Sequence, residues 1–174
     1  MPVASVVPSG RRPVSPRLFN MLGFLACLLS LLFAVYLQMF EHIEPCPLCI
    51  LQRIAIFALG IVFVVAALHD PHGWGSRIYA LLILLAAGAG AGVAGRQVWL
   101  QSLPADQVPA CGPGFDYLVE NFPLLEALGT IMRGSGDCAK IDWTLFGFAM
   151  PVWTLALFSA LGLVGAVRNW MGTR

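Results

Sequence analysis

Cys46-Pro47-Leu48-Cys49 sets two thiols three residues apart, and Arg53 follows four residues after the second. A C-x-x-C pair closes a small, strained and therefore reactive disulfide, and the thiolate is the form that attacks another sulfur. Residues four apart share a helix face, so Arg53 would lie on the same side as Cys49. A buried arginine there would favour a Cys49 thiolate or hold the oxygen of a polar-headed cofactor. Plainer readings stand beside these. C-x-x-C is half of a zinc site, but the other half would be Cys111 and Cys138, whose spacing is far too wide for the close pairs of structural zinc. No metal is expected. Arg53 could simply snorkel to a membrane surface. With Cys27 the cysteines number five, two pairs and one over if pairs exist.

The elements that must position these groups follow from composition. Hydrophobic residues make up 59% and charged residues 11%, against about 25% charged in soluble domains. Such a mixture cannot build an ordinary water-facing surface, so lipid must be the solvent for much of the chain. The 174 residues suffice for one domain. Net charge is +1 and no basic run with interleaved aromatics occurs, which excludes a nucleic-acid partner.

Four apolar stretches, 18–40, 50–68, 78–98 and 145–167, reach the roughly 20 helical residues needed to cross a bilayer core of about 30 Å. The first is too long for a signal-peptide core of about 7–15 residues, and no A-x-A site follows, so it reads as a retained helix. Residues 1–17 read as a disordered cytoplasmic tail ahead of a transmembrane domain over 18–174. The expected fold class is all-α: an integral membrane four-helix bundle with a long periplasmic loop, 101–144, that carries a short surface helix.

Basic residues gather on the cytoplasmic side of membrane proteins. Arg11, Arg12 and Arg17 precede the first span, Arg77 separates the second from the third, and Arg168 and Arg174 follow the fourth. With four spans, all of these share one side with both termini. Glu41, Glu44, Asp106, Asp116, Glu120, Glu126, Asp137 and Asp142 fall opposite, and Asp70 alone among the acids stays inside.

This topology puts Cys46, Cys49, Cys111 and Cys138 on the outer side, and the bacterial periplasm is oxidising enough for disulfides to persist. The second helix would then run inward from Cys49, its positive dipole end stabilising a thiolate there. In the long loop, Phe115, Leu118, Val119, Phe122 and Leu125 form a helical apolar stripe interrupted by Pro123. A helix on the membrane surface and an amphipathic loop packed on the helix ends both fit it. Cys111 and Cys138 bracket the stripe. Taken alone they read as a staple contributing about 3–4 kcal/mol; as an exposed disulfide they could be reached by another protein's thiolate. Cys27 reads as a small packing residue, and His42, His69 and His72 receive no role. Gly88, Gly90, Gly92 and Gly95 permit close helix packing, and since no strand precedes them they are not a nucleotide loop.

Glu44-Pro45-Cys46-Pro47-Leu48-Cys49-Ile50-Leu51-Gln52-Arg53 and Ser135-Gly136-Asp137-Cys138-Ala139 resemble the bacterial disulfide bond formation protein B (DsbB) family, as do Trp143, Phe146-Gly147 and Met150-Pro151-Val152-Trp153. The likeness covers nearly the whole chain beyond the N-terminal tail. It implies an inner-membrane, quinone-dependent protein-dithiol oxidase. On that resemblance, Cys111 and Cys138 form the disulfide attacked by a soluble periplasmic thioredoxin-fold oxidase of the DsbA kind. Cys46 and Cys49 form a second disulfide that reoxidises the first. Cys49 is the thiolate beside the quinone, ubiquinone or menaquinone, and Arg53 helps bind and polarise it. Family members often carry a histidine near the outer end of the third helix. Gln97 stands there in this chain, after Arg96, and these two are the expected quinone contacts on that helix. Gln97 can donate a hydrogen bond but cannot carry charge.

Two rivals remain. A vitamin K epoxide reductase-like enzyme would have its C-x-x-C near the chain's end, whereas here the pair opens the second helix. A non-catalytic four-helix membrane scaffold with structural disulfides would leave Arg53 beside Cys49 without a purpose.

Overall fold

The computed structural model describes residues 15–171. Most of the expected tail therefore lies outside the described residues, and Pro16 and Arg17 already belong to a helix. That helix, α1 (Pro16–Phe40), starts where the sequence supplies both a cap and a permitted proline. Ser15 Oγ accepts the Leu18 N–H at 3.2 Å, and Pro16, lacking an N–H, occupies the first turn. The same device opens α2 (Pro47–His69) earlier than the expected 50: Cys46 is the cap, its sulfur accepts the Cys49 N–H at 3.3 Å, and Pro47 comes next. Helix α3 (Trp74–Gln101) extends beyond 78–98 at both ends.

The long loop holds three short helices rather than one: α4 (Phe115–Asn121), α5 (Leu124–Arg133) and α6 (Gly136–Ala139). Pro123 splits the stripe, because a residue before proline is pushed out of the helical region; Phe122 sits at φ −126°, ψ 149°. The last span also differs from expectation. Residues 144–149 form a hairpin, β1 (Thr144–Leu145) paired with β2 (Phe148–Ala149), and α7 (Met150–Met171) begins only after it. The turn residues Phe146 and Gly147 both have positive φ, 52° and 82°. That is the two-residue hairpin geometry whose twist matches the strands. A phenylalanine in that conformation gives no turn signal, which is why the stretch reads as a continuous helix.

Helices α1, α2, α3 and α7 are each long and apolar enough to cross a membrane. They pack in the order α1, α2, α3, α7, with α3 against α7 the most extensive contact and α1 touching α7 far less than it touches α2. Phe63 sits at the centre, fully buried, with Gly23 of α1 and Gly165 of α7 opposite its ring. Of the glycines at 88, 90, 92 and 95, Gly90 alone meets a neighbour at close range, the ring of Phe158, while a Cβ at Gly88, Gly92 or Gly95 would meet nothing within 4 Å. Close packing on this side comes as much from α7, where Gly162 faces Ala87.

The two ends of the bundle differ. At one end Asn20 and Asn169 exchange buried hydrogen bonds of 3.1 and 2.9 Å and tie α1 to α7, and the Ser76 hydroxyl donates to the Asn169 carbonyl. At the other end α1 and α7 leave a cavity between them, and all of the cysteines except Cys27 are found there.

Gly90→Leu should destabilise the bundle by about 1–3 kcal/mol, since the Phe158 ring fills the space a side chain needs. Gly92→Leu should be tolerated. Thermal unfolding followed by tryptophan fluorescence in detergent separates the two.

Candidate functional site

Cys46 and Cys49 are brought together by helix geometry alone: the cap residue and the third residue of α2 point the same way, and their sulfurs lie 2.7 Å apart. Tertiary packing then adds Gln97 from α3. Its amide Nε2 donates to Cys49 Sγ at 3.3 Å and to Cys46 Sγ at 3.4 Å, and its Oε1 accepts from Gln52 Nε2 at 2.6 Å. Gln52 in turn accepts from the Thr154 hydroxyl of α7 at 2.5 Å. Gln52 and Gln97 are both buried, and no buried side-chain polar atom among the described residues lacks a partner.

The loop cysteines arrive from the other side. Cys138, in α6, is 1% exposed and packs in one cluster with Cys46 and Leu48. A hydrogen bond from the Cys46 thiol is the main reason its own thiol falls to about 6. Burial opposes the shift, and the Leu48 and Ser135 N–H groups reinforce it. The same bond, seen from the other sulfur, pushes Cys46 up. One proton shared between the two therefore stays on Cys46. Cys111 differs: it is exposed, and its sulfur lies over Gly136, beside Asp137. The Gly136 N–H donates to the Ala110 carbonyl at 3.2 Å, pinning the two cysteine-bearing segments together. A Cβ at Gly136 would come within 2.8 Å of the Pro109 carbonyl, so this approach requires glycine. Asp137 is held below its ordinary range by an exposed ion pair to Lys140 at 3.0 Å.

A cavity of about 360 Å³ adjoins the sulfurs. Cys46, Cys49, Arg53 and Gln97 supply its polar wall, and α1, α7 and Trp143 its apolar one. Trp143 meets Phe33 of α1 edge to face at 5.7 Å, bridging the loop and the first helix. Arg53 lines the cavity as expected, but its guanidinium is engaged by α1: Nη1 donates to Gln38 Oε1 at 2.5 Å and Nη2 to the Ala34 carbonyl at 3.1 Å. Arg96 is not in the cavity wall. It turns to the loop, donating to the Met132 and Arg133 carbonyls at 3.0 and 2.8 Å with its guanidinium over Trp99, and so caps the end of α5. Although next to Gln97 in sequence, Arg96 is directed by the helical turn to another face than the cavity. Cys27 is buried in the helical core, facing Gly60.

Gln52, Thr154 and Gln38 were assigned no role from the sequence. The available signal was a polar side chain inside an apolar span, since such groups need a partner in lipid.

Four membrane-length helices with four thiols and a buried amide gathered at one end, beside a cavity, define a membrane-embedded thiol–disulfide oxidoreductase. The comparisons with known proteins agree. The family model for disulfide bond formation protein DsbB matches residues 16–168. The disulfide bond formation protein B of Nitrosococcus oceani is 53% identical over 151 residues, 87% of this chain and 89% of its own length. That of Marinobacter nauticus is 51% identical, covering 86% of this chain and 94% of itself, and that of Methylococcus capsulatus 47% identical, covering 92% and 98%. The chain belongs to the DsbB family. It is a disulfide-forming oxidoreductase and a multi-pass protein of the bacterial inner membrane.

In reduced protein retaining only Cys46 and Cys138, thiolate absorbance should titrate with a midpoint near 6, the value of Cys138. Cys138 is then ionised above that pH and protonated below it. Cys46→Ala removes the largest cause, so the midpoint should rise towards the ordinary thiol range; an unmoved midpoint would disprove the shared proton.

Proposed function

We propose that this chain reoxidises a DsbA-like thioredoxin-fold oxidase on the periplasmic side and passes the electrons to a membrane quinone, ubiquinone or menaquinone. The orientation rests on the basic residues: Arg17, Arg77 and Arg168 lie at the Asn20–Asn169 end, which faces the cytoplasm together with both termini. The cysteines then face the periplasm.

The observation that carries the direction of flow is that Cys111 is exposed while Cys138 is buried against Cys46. A partner thiolate can reach Cys111. Its attack forms a mixed disulfide at Cys111, breaks the Cys111–Cys138 bond and leaves the electron pair on Cys138. The Leu48 and Ser135 N–H groups aimed at Cys138 stabilise the leaving thiolate. The Cys138 thiolate then attacks Cys46, its neighbour, breaking the Cys46–Cys49 bond and leaving the pair on Cys49. The partner's second thiol displaces Cys111, releasing oxidised partner. Cys111 then attacks Cys138 and frees Cys46, which restores the loop disulfide.

Cys46 and Cys49 are left as a dithiol at the cavity. A quinone bound there supplies a two-electron, two-proton acceptor. The residues suit such a group. The cavity falls in the range of small-ligand pockets, about 300–1,000 Å³, with a largely apolar lining for the ring. Arg53 is held by α1 at the wall and would bind a quinone oxygen; Gln97 faces the sulfurs. A scaffold with two structural disulfides would not call for Cys138 to lie against Cys46.

The test is quinone reduction by purified protein given a reduced thioredoxin-fold dithiol. Cys49→Ala should abolish turnover while the protein still inserts in the membrane; turnover at the wild-type level would remove Cys49 from the pathway. Arg53→Ala should raise the KM for quinone by about tenfold or more and leave the KM for the partner nearly unchanged. A change confined to the partner's KM would refute the assigned role.

A further inference from the structure

Gln97 has two faces, one donating and one accepting, and only the donating face stabilises a thiolate. Three hydrogen bonds in series decide which one meets the sulfurs. The Thr154 hydroxyl donates to Gln52 Oε1 at 2.5 Å, so Gln52 turns its amide nitrogen to Gln97 Oε1 at 2.6 Å. Gln97 then presents its own nitrogen to Cys49 and Cys46, at 3.3 and 3.4 Å, while its Oε1 lies farther off, 3.6 Å from Cys49 Sγ. Reversing Gln97 alone would set its nitrogen against the Gln52 nitrogen and its oxygen against sulfur lone pairs. The series crosses three helices, α7, α2 and α3, and both glutamines are buried.

We infer that Thr154 and Gln52 are positioning residues that set the polarity of the Gln97 amide, so that Gln97 stabilises the negative charge arriving on Cys49 when the Cys46–Cys49 bond is broken. None of the three titrates, so the donor is present at every working pH. Thr154 acts from the first turn of α7, and its single proton goes to Gln52 Oε1 at 2.5 Å, the nearer of two acceptors, the Pro151 carbonyl lying at 3.0 Å. The inference rests on the reading of Cys49 as the sulfur that receives the electron pair.

The test compares Thr154→Val, which keeps the shape but not the hydroxyl, with Thr154→Ser, which keeps the hydroxyl. In protein carrying Cys111→Ser and Cys138→Ser, the Cys46–Cys49 couple is equilibrated with dithiothreitol buffers at neutral pH, and the reduced fraction is read by thiol labelling. Thr154→Val should lower the equilibrium constant for reduction about tenfold or more, the effect of one lost hydrogen bond to a charged group. Thr154→Ser should stay near wild type, and Gln52→Leu should match Thr154→Val. In the full chain, Thr154→Val should lower kcat for quinone reduction while Thr154→Ser stays near wild type. A Thr154→Val couple equal to wild type would overturn the inference. So would equal shifts in Thr154→Val and Thr154→Ser, which would mark a packing role. If the couple shifts as expected but wild-type protein reduces no quinone, the polarity assignment is supported and the electron-acceptor reading fails.

Discussion

A neutral amide held within the membrane bundle, donating to two sulfurs at once, is the contact on which the site depends. Gln97 is 3% exposed, and its nitrogen lies 3.3 and 3.4 Å from Cys49 and Cys46. In a low-dielectric setting a sulfur that must carry charge needs a donor, and an unpaired donor would itself be costly. Each requirement answers the other. The partners of Gln97 extend this logic to α2 and α7, so three spans share one polar network, and a shift of any one would expose an unsatisfied group to lipid.

The bundle makes room for that network by being uneven. The Asn20–Asn169 pair fastens α1 to α7 at one end, and close contacts at Gly23, Gly90, Gly162 and Gly165 fill the middle. Beyond them α1 and α7 separate, and the cavity occupies the gap. At the wall, α1 offers the Arg53 guanidinium an amide oxygen and a carbonyl. In lipid those two acceptors matter more than they would on a wet surface.

The loop is an instrument of placement rather than a simple connection. Arg96 caps the carbonyls that end α5, and the chain then turns at Gly134, φ 83°, into the short helix carrying Cys138. The position of Cys138 against Cys46 thus traces back to a guanidinium on α3. Cys111 is brought alongside by the close approach at Gly136 yet stays exposed, so the two loop cysteines differ in access, one at the surface and one buried against Cys46.

By itself the sequence determined the class: too few charges for a water-facing surface, four spans, a majority of the basic residues at one end, and a C-x-x-C opening a helix. Those properties are local or additive, so they survive without coordinates. The cysteine motif and Arg53 were legible for the same reason, since helical spacing places them. The sequence missed the 144–149 hairpin, because Phe146 holds a left-handed backbone that its side chain does not advertise. It did not show that Arg96 turns to the loop, and it gave Gln52 and Thr154 no role. Only the tertiary structure decided these, because which neighbour a polar side chain meets in a membrane depends on how helices distant in sequence face one another. That is why one arginine serves the loop, and why a threonine 102 residues from Gln52 orients the amide at the sulfurs.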